Sequence, residues 1–190
     1  GAATGRHATV GGGWLNTAAG QSTTVAGGNG NDALSDFAMI GGGDRNTVAA
    51  VAPYATIGGG QFNRIETTSN MSVIGGGERN LINADSINTF IGGGDRNRIF
   101  GDSDYTVVVG GSVNTIYGDN SVIGGGAQNT IGEYSASLTA AANSSVIAGG
   151  IGNKILGRNS IEYNVISGGA YNLLVAGNSG DVIAGGMYNT

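Results

Sequence analysis

Carboxylates are the residues of this chain whose spacing could do chemistry. Asp85, Asp102 and Asp119 each follow an Asn by five residues and stand 17 apart. If the backbone repeats with that period, the three carboxyl groups stack in one column. Neighbours would then lie about 4.8 Å apart and the outer two about 9.6 Å apart. Those separations overlap the ~5–5.5 Å of retaining glycosidases and the ~6.5–9.5 Å of inverting ones. Crowding also raises one carboxyl pKa, as an acid catalyst needs. The column could serve a polysaccharide depolymerase or hold a cation. A simpler account is that Asp suits the solvent turns ADS, GDS and GDN in which the three residues lie.

Other polar groups are sparse. Acid–Arg pairs precede three of the Asn residues (Asp44–Arg45, Glu78–Arg79 and Asp95–Arg96), and Arg64 and Arg98 follow two of them. They could present charge to an anionic glycan. As solvated cross-coil pairs they would contribute under about 1 kcal/mol each. The segment GGNGNDALS (27–35) matches a calcium-binding nonapeptide, but such sites need tandem copies and this one is single. His7 is the one histidine, which leaves a Ser-His-Asp arrangement without a partner. No phosphate loop, dinucleotide fingerprint or HExxH is present. Two longer turns carry Tyr134 (in 132–144) and Tyr163 (in 157–164), and Tyr among Ser and Asn suits glycan or protein contact. The candidate ligand-binding residues are thus Tyr134, Tyr163, Asp85, Asp102 and Asp119. No catalytic residue, metal ligand or cofactor is expected.

Composition says what must position these groups. Of 190 residues 39 are Gly, one is Pro and none is Cys. Gly lacks the three-residue period of collagen, and 39% apolar content argues against disorder. A net charge of −5 argues against nucleic acid, which is bound through Lys and Arg. No apolar run approaches the roughly 18 residues of a membrane span, so direct membrane insertion is not expected. The first ten residues, GAATGRHATV, lack the basic-then-apolar pattern of a signal peptide.

The pattern [VI]-x-Gly-Gly-x-x-Asn occurs eleven times, from Asn16 to Asn189, at intervals of 15 to 24 residues. Six residues before every Asn stands Val or Ile, from Val10 to Ile183, and two after it an aliphatic residue, from Ala18 to Leu174. β-Branched columns favour strands, and paired Gly permits a tight corner between them. The chain is therefore expected to be all-β, a single domain over 1–190 of about eleven short two-strand coils in a parallel β-roll or β-helix solenoid. At about 4.8 Å per coil the rod would be roughly 50 Å long. The Asn column should form a ladder bonding the next coil and the corner backbone.

One column implies an oligomer. Seven residues before the Asn the side chain should face outward, yet Val73, Phe90, Val107, Val122, Val146, Val165 and Val182 are apolar. A strand apolar on both faces is buried on both faces. So thin a coil leaves that face uncovered, and a homotrimer around a central axis is the simplest closed solution.

The segments NSVIGGGAQNTIG (120–132) and SSVIAGGIGNKILG (144–157) resemble the head repeats of trimeric autotransporter adhesins, the YadA-like family, and the likeness runs through the whole chain. Gly-Gly-x-x-Asn departs from the Gly-x-x-Ser/Ala more common in those heads, and similar repeats occur in phage tail fibres. The resemblance implies a left-handed parallel β-roll and three chains per head. It also implies adhesion to a host surface protein, matrix or glycan, outside the cell on a bacterial surface or outer membrane. The expectation is a non-catalytic adhesin or fibre head that binds multivalently. The alternative is a phage tail-spike or tail-fibre segment on a virion, with receptor binding or polysaccharide degradation through the stacked Asp residues. Flat ice-binding ladders would need regular Thr-x-Thr columns, which are missing.

Overall fold

Two β-branched columns at fixed distances from each Asn give two stacks of short strands. In a computed structural model, which describes residues 1–133, 142–156, 161–175 and 180–190, they form two eleven-stranded parallel sheets. Sheet A begins with Ala2–Ala3 and continues with the strands just after each Asn, from Thr17–Ala18 to Leu173–Val175. Sheet B stacks those before the Gly-Gly corner, from Thr9–Val10 to Val182–Ile183. Each strand pairs with its equivalent one coil on, as Ile74 with Ile91 and Ile82 with Ile99. The result is a β-solenoid of about ten turns with no helix among the described residues. Ala142–Asn143 and Ile161–Glu162 add a small parallel pair at the corner where the longer turns lie.

The interior is one slab. Val or Ile of sheet B meets the aliphatic residue of sheet A, and from Ile40 to Ile166 these side chains are fully buried. Burial of each contributes about 1.5–3 kcal/mol. One edge of the slab is the Asn column. Asn97 Nδ2 donates to the Gly93 carbonyl in its own coil and to the Gly111 carbonyl of the next, each at 2.9 Å. Its Oδ1 accepts the Asn114 N–H at 3.0 Å, and its own N–H reaches Asn80 Oδ1 at 3.0 Å. The expected ladder is therefore present, and from Asn16 to Asn172 it is buried.

The corner glycine beside the ladder cannot carry a side chain. Gly94 has a φ of +92°, and a Cβ there would stand 2.0 Å from the Gly111 carbonyl and 2.8 Å from Asn97 Nδ2. The opposite edge is lined mostly by hydroxyls, with Ala38, Ala55 and Asn164 in the same column. Ser72, Thr106 and Ser121 bond carbonyls of the neighbouring coil at 2.8–3.0 Å.

Two features lie beyond what the pattern foretold. A third ladder of single-residue bridges runs from Trp14 and Asn29 through Glu78 and Asp95 to Met187. Beside it, the residue before each Asn is left-handed even where it is not Gly, as at Phe62, Arg79, Arg96 and Val113. The cause is in the hydrogen bonds. Glu78 N–H donates to Gly94 in the next coil, while Arg79 N–H donates back to Gln61 in the previous one, both at 2.9 Å. Only a left-handed residue turns successive N–H groups to opposite neighbours there. A second such column precedes sheet B, including Phe37, Tyr54, Met71 and Tyr105.

Two stability outcomes follow. Asn97→Ala leaves several buried polar groups unpaired at about 1–3 kcal/mol each, so chemical denaturation should show a loss of at least about 3 kcal/mol. Val51 is β-branched, exposed and left-handed (φ 61°). Val51→Asn should relieve that strain and raise stability by about 1 kcal/mol, read as a shifted denaturation midpoint.

Candidate ligand-binding surface

Strand alternation sends every second side chain outward, so each coil offers a short row of candidate contacts. Asp85 and Asp102 do share one column. Both are exposed and left-handed, with φ of 59° and 57°. The Asp85 carboxylate accepts the Thr68 hydroxyl from the coil before it, and its N–H donates to that hydroxyl oxygen at 3.1 Å.

Asp119 does not join them, which corrects the three-carboxylate column. Its coil is two residues shorter, and the loss falls where Gly101 and Asp102 stand in the coil before. Gly118 N–H consequently meets Ser103 Oγ at 2.9 Å, and Asn120 N–H meets the Asp104 carbonyl at 2.8 Å. Asp119 therefore stands over Asp104. Its Oδ1 accepts the Asp104 N–H at 2.8 Å, and Asp104 Oδ1 accepts the Ile87 N–H at 2.7 Å. Asp36 does the same for the Gln21 N–H at 2.7 Å. These carboxylates cap backbone N–H groups, and Asp119 does not stand one coil on from Asp102. The signal was legible from the other direction. Counted back from sheet B, the sequences DFAMI, DYTVV and DNSVI share an Asp four residues before the buried Val or Ile.

Tyr163 lies in the left-handed column that leads into sheet B, with φ of 64° and 62% of its surface exposed. Tyr134 falls outside the described residues. The column holding Tyr163 carries further aromatic groups that belong to no sequence motif. Phe37 and Tyr54 stack at 4.8 Å with a 5° interplanar angle, and Met71 and Tyr105 extend the exposed edge. Stacking follows from the coil rise, since successive side chains of one column are about 4.8 Å apart.

The acid–Arg residues form pairs within a coil, which corrects the expectation of cross-coil pairing. Arg79 meets Glu78 in its own coil, Arg96 meets Asp95 at 3.0 Å, and Arg64 meets Glu66 at 2.6 Å. All are largely exposed and contribute little to stability. What crosses the coils is a cation–π stack. The Arg45 and Arg79 guanidinium groups lie 5.5 and 5.4 Å from the Phe62 ring centre, one from either side. Asp44 also reaches across, accepting from Asn29 Nδ2 at 2.8 Å and Gln61 Nε2 at 2.9 Å. Hydrogen bonds from Gln61 and Asn29, together with the Arg45 charge, hold its carboxyl below the usual carboxylate range.

The calcium-like segment is absorbed into the scaffold. Asn31 Oδ1 accepts the Asn46 N–H at 3.0 Å and Asn31 Nδ2 bonds the Gly27 and Gly43 carbonyls, so Asn31 is committed to the ladder. Among the described residues no three His, Cys, Asp or Glu side chains converge. No helix there is long and apolar enough to cross a membrane.

The two outer faces differ in chemistry. Sheet B shows Met39, Thr56, Val73, Phe90, Val107, Val122, Val146, Val165 and Val182 outward, all partly or well exposed and none charged. Sheet A shows Thr47, Arg64, Leu81, Arg98, Thr115, Thr130 and Lys154. No protein-family profile matches the chain, and no curated protein is similar to it at a significant level.

The corrected Asp register is itself testable. Asp104→Ala should lower stability by about 1–3 kcal/mol, because the Ile87 N–H loses its acceptor. Asp102→Asn, which keeps a residue that tolerates the left-handed backbone at an exposed turn, should change it by under about 0.5 kcal/mol. Paired urea titrations decide, and equal effects would refute the assignment.

Proposed function

We propose that this chain is the head of an extracellular adhesin or fibre, without catalysis, on a bacterial surface or a virion tail. Three copies pack through the outer face of sheet B and display sheet A and the variable corner. The contrast between the two outer faces is the observation that carries this reading. An uncharged column that is apolar from Val73 to Val182 is costly to leave in water. Covering it removes apolar area at about 25 cal/mol per Å². A closed ring of three covers three equivalent faces and leaves none open. The resemblance to the heads of trimeric adhesins, carried by residues 120–132 and 144–157, points the same way. Each display face then occurs three times, and linked weak contacts gain avidity over single ones. The depolymerase alternative loses Asp119 from its column and keeps the Asp85–Asp102 pair.

Light scattering should give three times the 18.7 kDa chain mass, and Val107→Glu should give folded monomer with an unchanged β spectrum. A stable wild-type monomer at micromolar concentration would overturn the assembly. Immobilised matrix proteins and glycans should retain the wild type at least about a hundredfold better than the Val107→Glu monomer. Retention of neither by any surface would overturn the adhesin reading.

A further inference from the structure

The column of residues that precede each Asn lacks a side chain at two places, Gly30 and Gly152. The position before the Asn is filled by Val113, Gln128, Tyr171 and Tyr188 in four of the last five coils, but in the coil of Asn153 it is Gly152. The missing side chain opens a recess of about 370 Å³ lined by Val113, Thr115, Gln128, Thr130, Gly152, Lys154 and Tyr171. That volume is at the low end of ligand sites and suits one six-membered ring rather than an oligosaccharide.

The walls have a definite chemistry. Tyr171 stacks on Tyr188 with ring centres 5.3 Å apart and 10° between planes, so one face of its ring is covered. Its other side leans over Gly152, where an added Cβ would meet ring carbons at 2.7 and 2.8 Å. The contact with Gly152 is at one ring edge, Cδ1 and Cε1, and the ring, about half exposed, lines the recess with the rest of that side. Thr115, Thr130 and Lys154 lie on the adjoining outward column of sheet A, in register with Arg98. Arg64, Arg79 and Arg96 are each held by a carboxylate. Lys154 and Arg98 have no such partner among the described residues, nor are the Thr115 and Thr130 hydroxyls or the Gln128 amide engaged. No acidic side chain lines the recess.

We infer that the recess over Gly152 is a binding subsite for one acidic pyranose, a sugar ring bearing a carboxylate. The sugar ring lies against Tyr171, its carboxylate pairs with Lys154, and its hydroxyls bond Thr130, Thr115 and Gln128. Arg98 stands three coils from Lys154, about 14 Å along the column. It meets a further carboxylate only when the sugar belongs to an acidic chain running along the roll. This rests on the adhesin reading and names its ligand class. Sheet A is the face left open when sheet B is covered, so each head carries three such subsites.

The test uses methyl glucuronide, methyl glucoside and an oligoglucuronate titrated into the whole chain, followed by NMR shift changes at Tyr171 and Lys154. Methyl glucuronide should bind at least about tenfold tighter than methyl glucoside, and Lys154→Gln should abolish that preference, since a hydrogen bond to a charged group is worth that much. Arg98→Gln should leave the monosaccharide unaffected and weaken the oligomer about threefold or more. Gly152→Asn tests the cavity itself. A left-handed non-glycine residue already stands at this position in most coils, so the variant should fold, with its spectrum as the check, and lose sugar binding. Equal binding of glucoside and glucuronide, or wild-type binding by Gly152→Asn, overturns the inference. Retention on matrix proteins with no sugar binding overturns the subsite alone, whereas loss of all retention overturns the adhesin reading as well.

Discussion

The Asn ladder is the constraint on which the other features depend. A coil this narrow turns sharply at the Gly-Gly corner, and a turn points carbonyls inward, where water is absent. Each Asn amide answers two of those carbonyls, one in its own coil and one in the next, and its oxygen takes the next Asn N–H. The cost of unpaired buried polar groups thereby becomes a bond between coils. The same contact explains the glycine, because Asn97 Nδ2 and the Gly111 carbonyl occupy the space that a side chain on Gly94 would need. Register is fixed as well. A slip of one residue would send the Asn to solvent and leave the corner carbonyls unanswered.

Once that corner is fixed, variation is confined elsewhere. From the left-handed residue before sheet B, through the Gly-Gly corner, to the end of the sheet A strand, the spacing is constant in every coil. Coil lengths from 15 to 24 residues are absorbed at the opposite corner alone. Hydroxyls of Ser and Thr serve that corner, and their bonds tolerate a change of loop length better than the amide ladder would. Outward side chains are free in another sense. They stand in columns about one coil rise apart, so like groups stack and unlike groups pair along the rod. Phe37 on Tyr54, Phe100 on Tyr117 and Phe62 between two Arg side chains are all products of that geometry.

The fold was legible because its determinants repeat. Val or Ile six residues before each Asn, the aliphatic residue two after it and the paired Gly state the same instruction eleven times. The left-handed columns were not legible, since Phe62, Arg79 and Val113 give no compositional sign of positive φ. Their conformation is imposed by hydrogen bonds to two different neighbours, which no single coil contains. The Asp column was misread for a related reason. Counting forward from Asn114 crosses the one corner whose length varies, so Asp119 was assigned the place of Asp102 when it holds that of Asp104. Tyr163 was singled out for its longer turn, but its neighbours in the column were missed because residue type varies along it, from Phe37, Tyr54 and Tyr105 to Ser22 and Asn88.

A periodic scaffold also changes what counts as a sign of function. In an ordinary domain a cleft or a buried charge stands out against an irregular background. Here nearly every polar group inside the roll is answered by its equivalent one coil away, so buried residues such as Asn97 or Ser72 report only on stacking. Information lies in departures from the period on the outside. Gly152 interrupts a column of larger side chains, and Lys154 and Arg98 lack the carboxylates that hold Arg64, Arg79 and Arg96. A glycine eases the left-handed backbone at position 152, where φ is 66°, so the gap has a local reason of its own. The two unpaired cations on one outward column serve neither the ladder, the slab nor the corner, and the proposed subsite for an acidic sugar would use them.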